Sequence, residues 1–219
     1  APVMRAYLEN GMRNMPQPVS LYYSGSFFRH DKPQRGRYRE FHQFGLEVIG
    51  TEKSIADALI IQTFVKILEE AGCPSVIVDI NSIGDKDSRN TYVKALTAYY
   101  RKHINQLPVI DRERLKTNPL RILDSKEAKT IEINEEAPDS ISFLTPSAKK
   151  HFKEVLEYLD EAGIIYRINK NLVRGLDYYS HTVFEIIEVS DNPETNGLAL
   201  GGGGRYDGLA KMLGSKKDI

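Results

Sequence analysis

Apolar residues recur at helical spacing through Ile55, Leu59, Phe64 and Leu68, with Ser54 and Asp57 resembling a capping box before them and Gly72 after them. The pattern predicts a helix over residues 55–71. A second helix is bounded by Thr145, with Pro146 at its first position, and by Gly163. Between the prolines at 16 and 18 and the first helix, the pattern changes period. SLYYSGSFFRH is rich in strand-forming aromatics and predicts a strand from Leu21 to His30. The Pro- and Gly-containing DKPQRGRYRE reads as a loop, and FHQFGLEVIG as a return strand, so residues 21–50 form a long hairpin with a charged tip. An opening helix runs to about Met12. SVIVDINS is a short apolar strand, and Asp85 can cap the polar helix after it. Residues 85–140 continue as highly charged helix and loop and read as an insertion in the main core. Beyond Gly163 the pattern returns to strands in IIYRIN, in His181 to Val189 and in GLAL.

Composition narrows the class. With 41% hydrophobic and 27% charged residues, the chain fits neither a disordered nor a membrane protein. The longest apolar stretch, Ala56 to Leu68, is interrupted by Asp57, Gln62, Thr63 and Lys66, and no run approaches the ~20 residues of a membrane-spanning helix. Cys73 is the only cysteine, so an intrachain disulfide and a cysteine metal cluster are excluded, and a reducing cytoplasm is the expected compartment. Lys plus Arg equal Asp plus Glu at 30 each, so any argument for RNA binding has to be local. The chain opens APVMRAYLENGMRN without an initiator methionine or signal segment and closes on LGSKKDI directly after a glycine motif. Both read as cut ends of a longer protein.

The return strand carries the most informative local chemistry. Alternation puts Phe41, Gln43, Gly45 and Glu47 on one face and His42, Phe44, Leu46 and Val48 on the other, which is mostly apolar and faces a core. The first face offers an amide and a carboxylate flanking a gap at Gly45, a combination suited to a cationic amine or an imidazole N–H. On alternation alone, the plainer reading of a half-exposed strand facing water is favoured. The basic hairpin tip can hold phosphates or a single-stranded RNA end, or simply be solvated. Arg29, beside Phe27 and Phe28 at a strand end, needs a partner or a ligand.

Two further strings lie near the end of the chain. In LVRGLDYYS, Arg174 can grip a phosphate or carboxylate with two parallel hydrogen bonds, and Tyr178 and Tyr179 add hydroxyls on aromatic walls. The alternative is an arginine paired with Asp177 and tyrosines packed as core. GGGGRYDGL lacks the Lys-Ser/Thr of a P-loop and satisfies no register of GxGxxG; its glycines allow close approach of a flat ligand or make a flexible loop. The histidines at 30, 42, 103, 151 and 181 show no metal-ligand spacing, and no serine sits in a nucleophile elbow.

Taken in order, FFRHDKPQRGRYREFHQFGLEVIG, TNPLRILDSK, LVRGLDYYSHTVFEI and GGGGRYDGL resemble the histidyl-tRNA synthetase family over essentially the whole chain. The first string resembles motif 2 of the class II aminoacyl-tRNA synthetases. The third and fourth resemble the two signatures of the histidine enzymes. The resemblance implies an α+β fold: a mixed, mainly antiparallel sheet with flanking helices, carrying a mostly helical insertion. The catalytic core would occupy 1–84 and 146–219, and the insertion 85–145.

The same resemblance implies ATP-dependent activation of histidine to histidyl-adenylate and its transfer to tRNA(His), with Mg2+ carried on the ATP phosphates and no protein metal site. Arg29 would hold the substrate carboxylate and the α-phosphate, and Asp31 and Phe41 would bind the adenine. Gln43 and Glu47 would recognise histidine. Arg174 would stabilise the α-phosphate during attack, Tyr178, Tyr179 and Tyr206 would line the histidine pocket, and Lys32 and Gln34 would approach the tRNA acceptor end. Motif 1, an acidic substrate-binding segment, motif 3 and the anticodon-binding domain have no counterpart among the 219 residues. The piece alone is therefore expected to be inactive or partial, and the parent protein a homodimer. Asp31 stands where relatives commonly carry glutamate. The competing reading is a catalytically silent relative that senses histidine or binds tRNA; retention of Arg29, Gln43, Glu47, Arg174 and both tyrosines argues for the enzyme.

Overall fold

The computed structural model describes residues 1–30, 32–33, 38–73, 75–174, 178–191, 196–216 and 218–219. Aromatic and β-branched residues build β1 (Val19–Phe28) and β2 (Glu40–Ile49), which pair antiparallel along their full length, Tyr23 opposite Gly45 and Phe27 opposite Phe41. A separate four-stranded sheet contains β3 (Val76–Ser82), β4 (Tyr166–Ile168), β5 (Ser180–Glu188) and β6 (Ala199–Arg205), in the order β4-β3-β5-β6. Only β3 and β4 are parallel; β5 runs antiparallel to both of its neighbours. The expected mainly antiparallel α+β architecture is what is observed.

Helices α2 (Ser54–Glu70) and α6 (Pro146–Glu161) pack on each other and on one face of the larger sheet. Val78 and Ile80 of β3 stand opposite Ile186 and Phe184 of β5, and all four meet Ile61 and Val65 of α2 and Phe152, Val155 and Leu159 of α6. Each such side chain fully withdrawn from water contributes about 1.5–3 kcal/mol, which makes this layer the main source of stability. The stripe predicted for α2 is rotated from the one it buries. Ala58, Ile61, Val65 and Leu68 are inside, whereas Ile55 and Leu59 are about half exposed. The helix is apolar on more than one side, and periodicity alone does not say which side meets the sheet.

Between β3 and α6 the chain is helical: α3 (Lys86–Lys102), α4 (Val109–Thr117) and α5 (Ala128–Asn134), with short 3-10 turns. These pack around a second core of Tyr92, Leu96, Tyr100, Leu107, Ile122 and Ile133. Its buried phenols are satisfied locally, Tyr100 donating to Asn134 Oδ1 at 2.7 Å and Tyr92 to the Pro138 carbonyl at 3.1 Å. The fully buried Asp111 accepts from Ser125 at 2.6 Å, Thr130 at 2.7 Å and Arg114 at 2.9 Å. A third cluster joins α1 (Pro2–Glu9), the base of the hairpin and α7 (Leu209–Met212) through Met4, Tyr7, Val19, Ile49 and Leu209.

Local signals fared unevenly. Asp85 caps α3 by accepting from the Ser88 N–H at 2.8 Å, and Thr145 caps α6 through Ala148. Gly163 ends α6 with φ +66°, a conformation that glycine adopts without strain. Ser54 and Asp57 do not form a capping box. Ser54 instead donates to Glu154 of α6, and Asp57 turns into a buried polar cluster. The four glycines are not a flexible loop but strand residues of β6, paired along β5, and they line the cleft described below.

Candidate active site

A cleft of about 920 Å³ opens between the hairpin and the larger sheet. Strand β2 contributes Gln43, Gly45 and Glu47, and β1 contributes Tyr23, whose hydroxyl accepts from Gln43 Nε2 at 3.1 Å. A Cβ at Gly45 would stand 2.2 Å from the Tyr23 ring, so a larger residue there would have to displace that ring. On the opposite face of β2, Phe44 stacks on Phe64 of α2 with centroids 5.1 Å apart, so the alternation holds, but this face does not enter a core: His42 is exposed and Phe44, Leu46 and Val48 are only half-buried.

Across the cleft, β6 packs side chains against both of its glycine faces. Phe64 covers Gly201 and Phe184 covers Gly203; on the other face Arg174 lies over Gly202 and Tyr179 over Gly204. A Cβ at Gly202 would meet the Arg174 guanidinium at 2.9 Å and the Phe184 carbonyl at 2.6 Å. The glycines thus admit an arginine and a tyrosine side by side. Arg174 pairs with Glu185 of β5, Nη1 to Oε1 at 2.5 Å. Sequence reasoning missed Glu185. Its signal was a lone carboxylate in the apolar run from Val183 to Ile187. The considered partner, Asp177, lies outside the described residues.

The cleft is lined by aromatic hydroxyls. Tyr178 lies against Tyr179 with ring centroids 4.8 Å apart and meets Tyr206 edge-on at 6.0 Å. Tyr206 donates a short hydrogen bond to Glu47. Burial pushes the Glu47 carboxyl above the usual carboxylate range, and the Tyr206 hydrogen bond only partly opposes this. Burial and the neighbouring Glu47 charge drive the Tyr206 phenol upward, so it stays a neutral donor. Glu47 is therefore a half-buried carboxylate held by a phenol, near enough to the Ala1 ammonium to feel its charge, in a place where a bound cation would be favourable.

Gln43, Glu47, Arg174, Tyr178, Tyr179 and Tyr206 all line this one cleft. Arg29 and Phe41 do not. They sit toward the hairpin tip, the Arg29 guanidinium stacked 3.7 Å above the Phe41 ring, with Phe27 between that pair and the cleft. The Arg29 Nε is buried without a hydrogen-bond partner among the described residues, an orphan donor that suits an anion. Lys32 is exposed; Asp31 and Gln34 lie outside the described residues. Among the described residues no group of three or more His, Cys, Asp or Glu could hold a metal ion, and no helix is long and apolar enough to cross a membrane.

A buried polar cluster lies in the wall of the cleft, which Asp57, Thr182 and Arg205 line. Asp57 accepts from His151 Nε2 at 2.9 Å, Thr182 Oγ1 at 2.7 Å and Arg205 Nε at 3.0 Å. Burial raises its pKa, but the bonds from His151 and Arg205 and the Arg205 charge outweigh this and hold the carboxyl below its ordinary range. His181 lies against His151, ring centroids 4.8 Å apart and tilted by 38°, with its backbone at φ +48° and its Nδ1 buried without a partner among the described residues. Burial, then repulsion from His151, pushes the His181 imidazole below the usual histidine range, despite attraction from Asp207 and Asp85. The unfolded chain thus binds a proton near pH 6.5 that the native state resists. The stability His181 contributes is fully present above that pH and is lost as pH falls through its depressed native value. Between pH 7.5 and 5.5 the melting temperature is expected to fall more for the wild type than for His181→Asn, in which asparagine tolerates the positive φ but does not titrate. Equal slopes in thermal melts would remove His181 as the source.

Comparison with known proteins identifies the family. The family model described as histidyl-tRNA synthetase matches residues 3–218. The chain belongs to the histidyl-tRNA synthetase family. It is 46% identical over 214 residues to a histidine–tRNA ligase of Crocosphaera subtropica, which covers 98% of this chain and 49% of that protein. Against the histidine–tRNA ligase of Bacillus subtilis it is 44% identical over 217 residues, 98% of this chain and 50% of the relative. The crystal structure of apo S. aureus histidyl-tRNA synthetase superposes with a TM-score of 0.77 at 36% identity, covering 98% of this chain and 50% of that one. The chain spans about half the length of these family members.

Proposed function

We propose that this chain carries part of the histidine and ATP site of a histidine–tRNA ligase, whose full-length protein, as a homodimer, forms histidyl-adenylate and transfers it to tRNA(His). The observation that carries the reading is Glu47: a half-buried carboxylate, raised above its usual range and bonded to a neutral phenol, in the wall of a cleft that Gln43, Tyr178 and Tyr179 also line. Bringing a cation to such a group regains what burial costs it. The imidazole N–H and the ammonium of histidine supply charge and donors of the right kind.

The reaction moves the histidine carboxylate oxygen onto the ATP α-phosphorus as the bond to pyrophosphate breaks. Negative charge gathers on the α-phosphate oxygens, and a fixed guanidinium stabilises it without reorganisation. Arg174, held by Glu185 over Gly202, is assigned that role. Arg29, with its orphan Nε, is assigned the carboxylate and α-phosphate on the hairpin side, and Phe41 the adenine face. The donor chemistry of the described residues fits magnesium arriving on the ATP phosphates, where it would neutralise the leaving pyrophosphate. Lys32 is assigned to the tRNA acceptor end, and residues 85–145 are read as an insertion in a core formed by 1–84 and 146–219. A silent relative has no need for the full set of Arg29, Arg174, Gln43 and Glu47. Histidine-dependent exchange of pyrophosphate into ATP by the full-length protein tests the reading, and its absence would contradict it.

A further inference from the structure

Arg205 is the most heavily engaged cation among the described residues, with its side chain only 8% exposed. Its Nη2 lies 2.8 Å from Asp57 Oδ1, and it also donates from Nε to that carboxylate. Nη1 donates to Asp207 Oδ1 and to the Thr51 carbonyl, both at 2.9 Å, and Nη2 to the Lys53 carbonyl at 3.1 Å. Thr51 and Lys53 form the link that leaves β2 and enters α2. Arg205 is itself the last residue of β6, and the next residue is Tyr206. The guanidinium therefore ties the exit of β2 to the exit of β6.

That tie matters because the two strands belong to different sheets. No backbone ladder joins the hairpin to the four-stranded sheet among the described strands. Yet the Tyr206–Glu47 hydrogen bond spans the same gap, from the residue after Arg205 to a residue two positions before the end of β2. A hydroxyl and a carboxylate on separate sheets hold one geometry only if something fixes the sheets' separation. Apolar packing brings the hairpin and the sheet together, and the planar fork, with two carbonyls and two carboxylates as partners, adds the directional tie next to Tyr206; a lysine ammonium cannot reach all four.

We propose that Arg205 is a positioning residue for histidine recognition: it lines the cleft wall, but its donors are committed to protein acceptors, and it acts by setting the Tyr206–Glu47 pair that meets the substrate. The proposal rests on the assignment of Glu47 to histidine. Steady-state exchange kinetics of the full-length protein test it, with wild type, Arg205→Lys, Tyr206→Phe and the double variant compared. Arg205→Lys is expected to raise the histidine KM about tenfold, while the ATP KM and kcat change less than about threefold, the pattern of loosened binding to one substrate. Because Arg205 acts through Tyr206, adding Arg205→Lys to Tyr206→Phe should raise the histidine KM by less than about twofold. If Arg205→Lys does not fold, Asp207→Asn, which weakens one of the tie's bonds and keeps the Ser180 contact, carries the same test with a smaller shift in the histidine KM alone. A parallel rise in both KM values, a fall in kcat alone, or additive effects in the double variant would overturn the proposal. A wild-type protein with no histidine-dependent exchange would instead overturn the reading beneath it, and this proposal with it.

Discussion

Replacing Arg174 by lysine is expected to lower the rate of adenylate formation by about 10²-fold or more while leaving ATP and histidine binding nearly intact, by analogy with loss of one oxyanion donor. The geometry gives the reason. One terminal nitrogen of Arg174 is committed to Glu185 at 2.5 Å, and the guanidinium lies where only glycine at 202 allows it. A planar fork can keep that pairing and still present N–H groups to phosphate oxygens; an ammonium that stays with Glu185 presents a poorer match. The charge that Arg174 meets builds up only as the carboxylate attacks, so its loss falls on the chemical step. Single-turnover adenylate formation in the full-length protein, at saturating ATP and histidine, separates that step from binding. A near-normal rate with much weaker histidine affinity would make Arg174 a binding residue and move the catalytic role to Arg29.

Replacing Glu47 by glutamine is expected to weaken histidine binding by about ten- to a hundredfold with little change for ATP, because removing one charge-assisted hydrogen bond costs about 1.5–3 kcal/mol. Glutamine is nearly isosteric and its carbonyl can still accept from Tyr206, so the fold should survive. What disappears is the charge. In the wild type, burial makes that charge costly, and a bound cation relieves the cost; in the variant there is nothing to relieve. Equilibrium titration of histidine and, separately, of ATP distinguishes the cases. Unchanged histidine affinity with weakened ATP binding would mean that this strand face serves the other substrate.

Much of the fold was legible because its signals are local. The aromatic-rich strands of the hairpin, the cap at Asp85, and the Thr145-Pro146 start and Gly163 stop of α6 each depend on neighbours within a few residues. So did the face shared by Gln43, Gly45 and Glu47, since strand alternation needs no tertiary information. The strand made by Gly201–Gly204 was not legible, because glycine has weak strand preference and its fitness here comes from Phe64, Arg174, Phe184 and Tyr179 packing where side chains would stand. Asp57 was mistaken for a cap for a similar reason. Its partners are His151, Thr182 and Arg205, the last 148 residues away, and a long-range charge pair leaves no trace in spacing. Glu185 was visible only as a carboxylate in an apolar strand, with no indication that Arg174 would meet it.

The most direct test of the account is amino-acid-dependent exchange of labelled pyrophosphate into ATP by the full-length wild-type protein, with each of the twenty standard amino acids offered in turn. The cleft lined by Glu47, Gln43, Tyr206 and Arg174 predicts exchange with histidine and with no other amino acid. Tight histidine binding without exchange would reveal a sensor built on the same fold, and exchange with a different amino acid would show that Glu47 does not select for histidine.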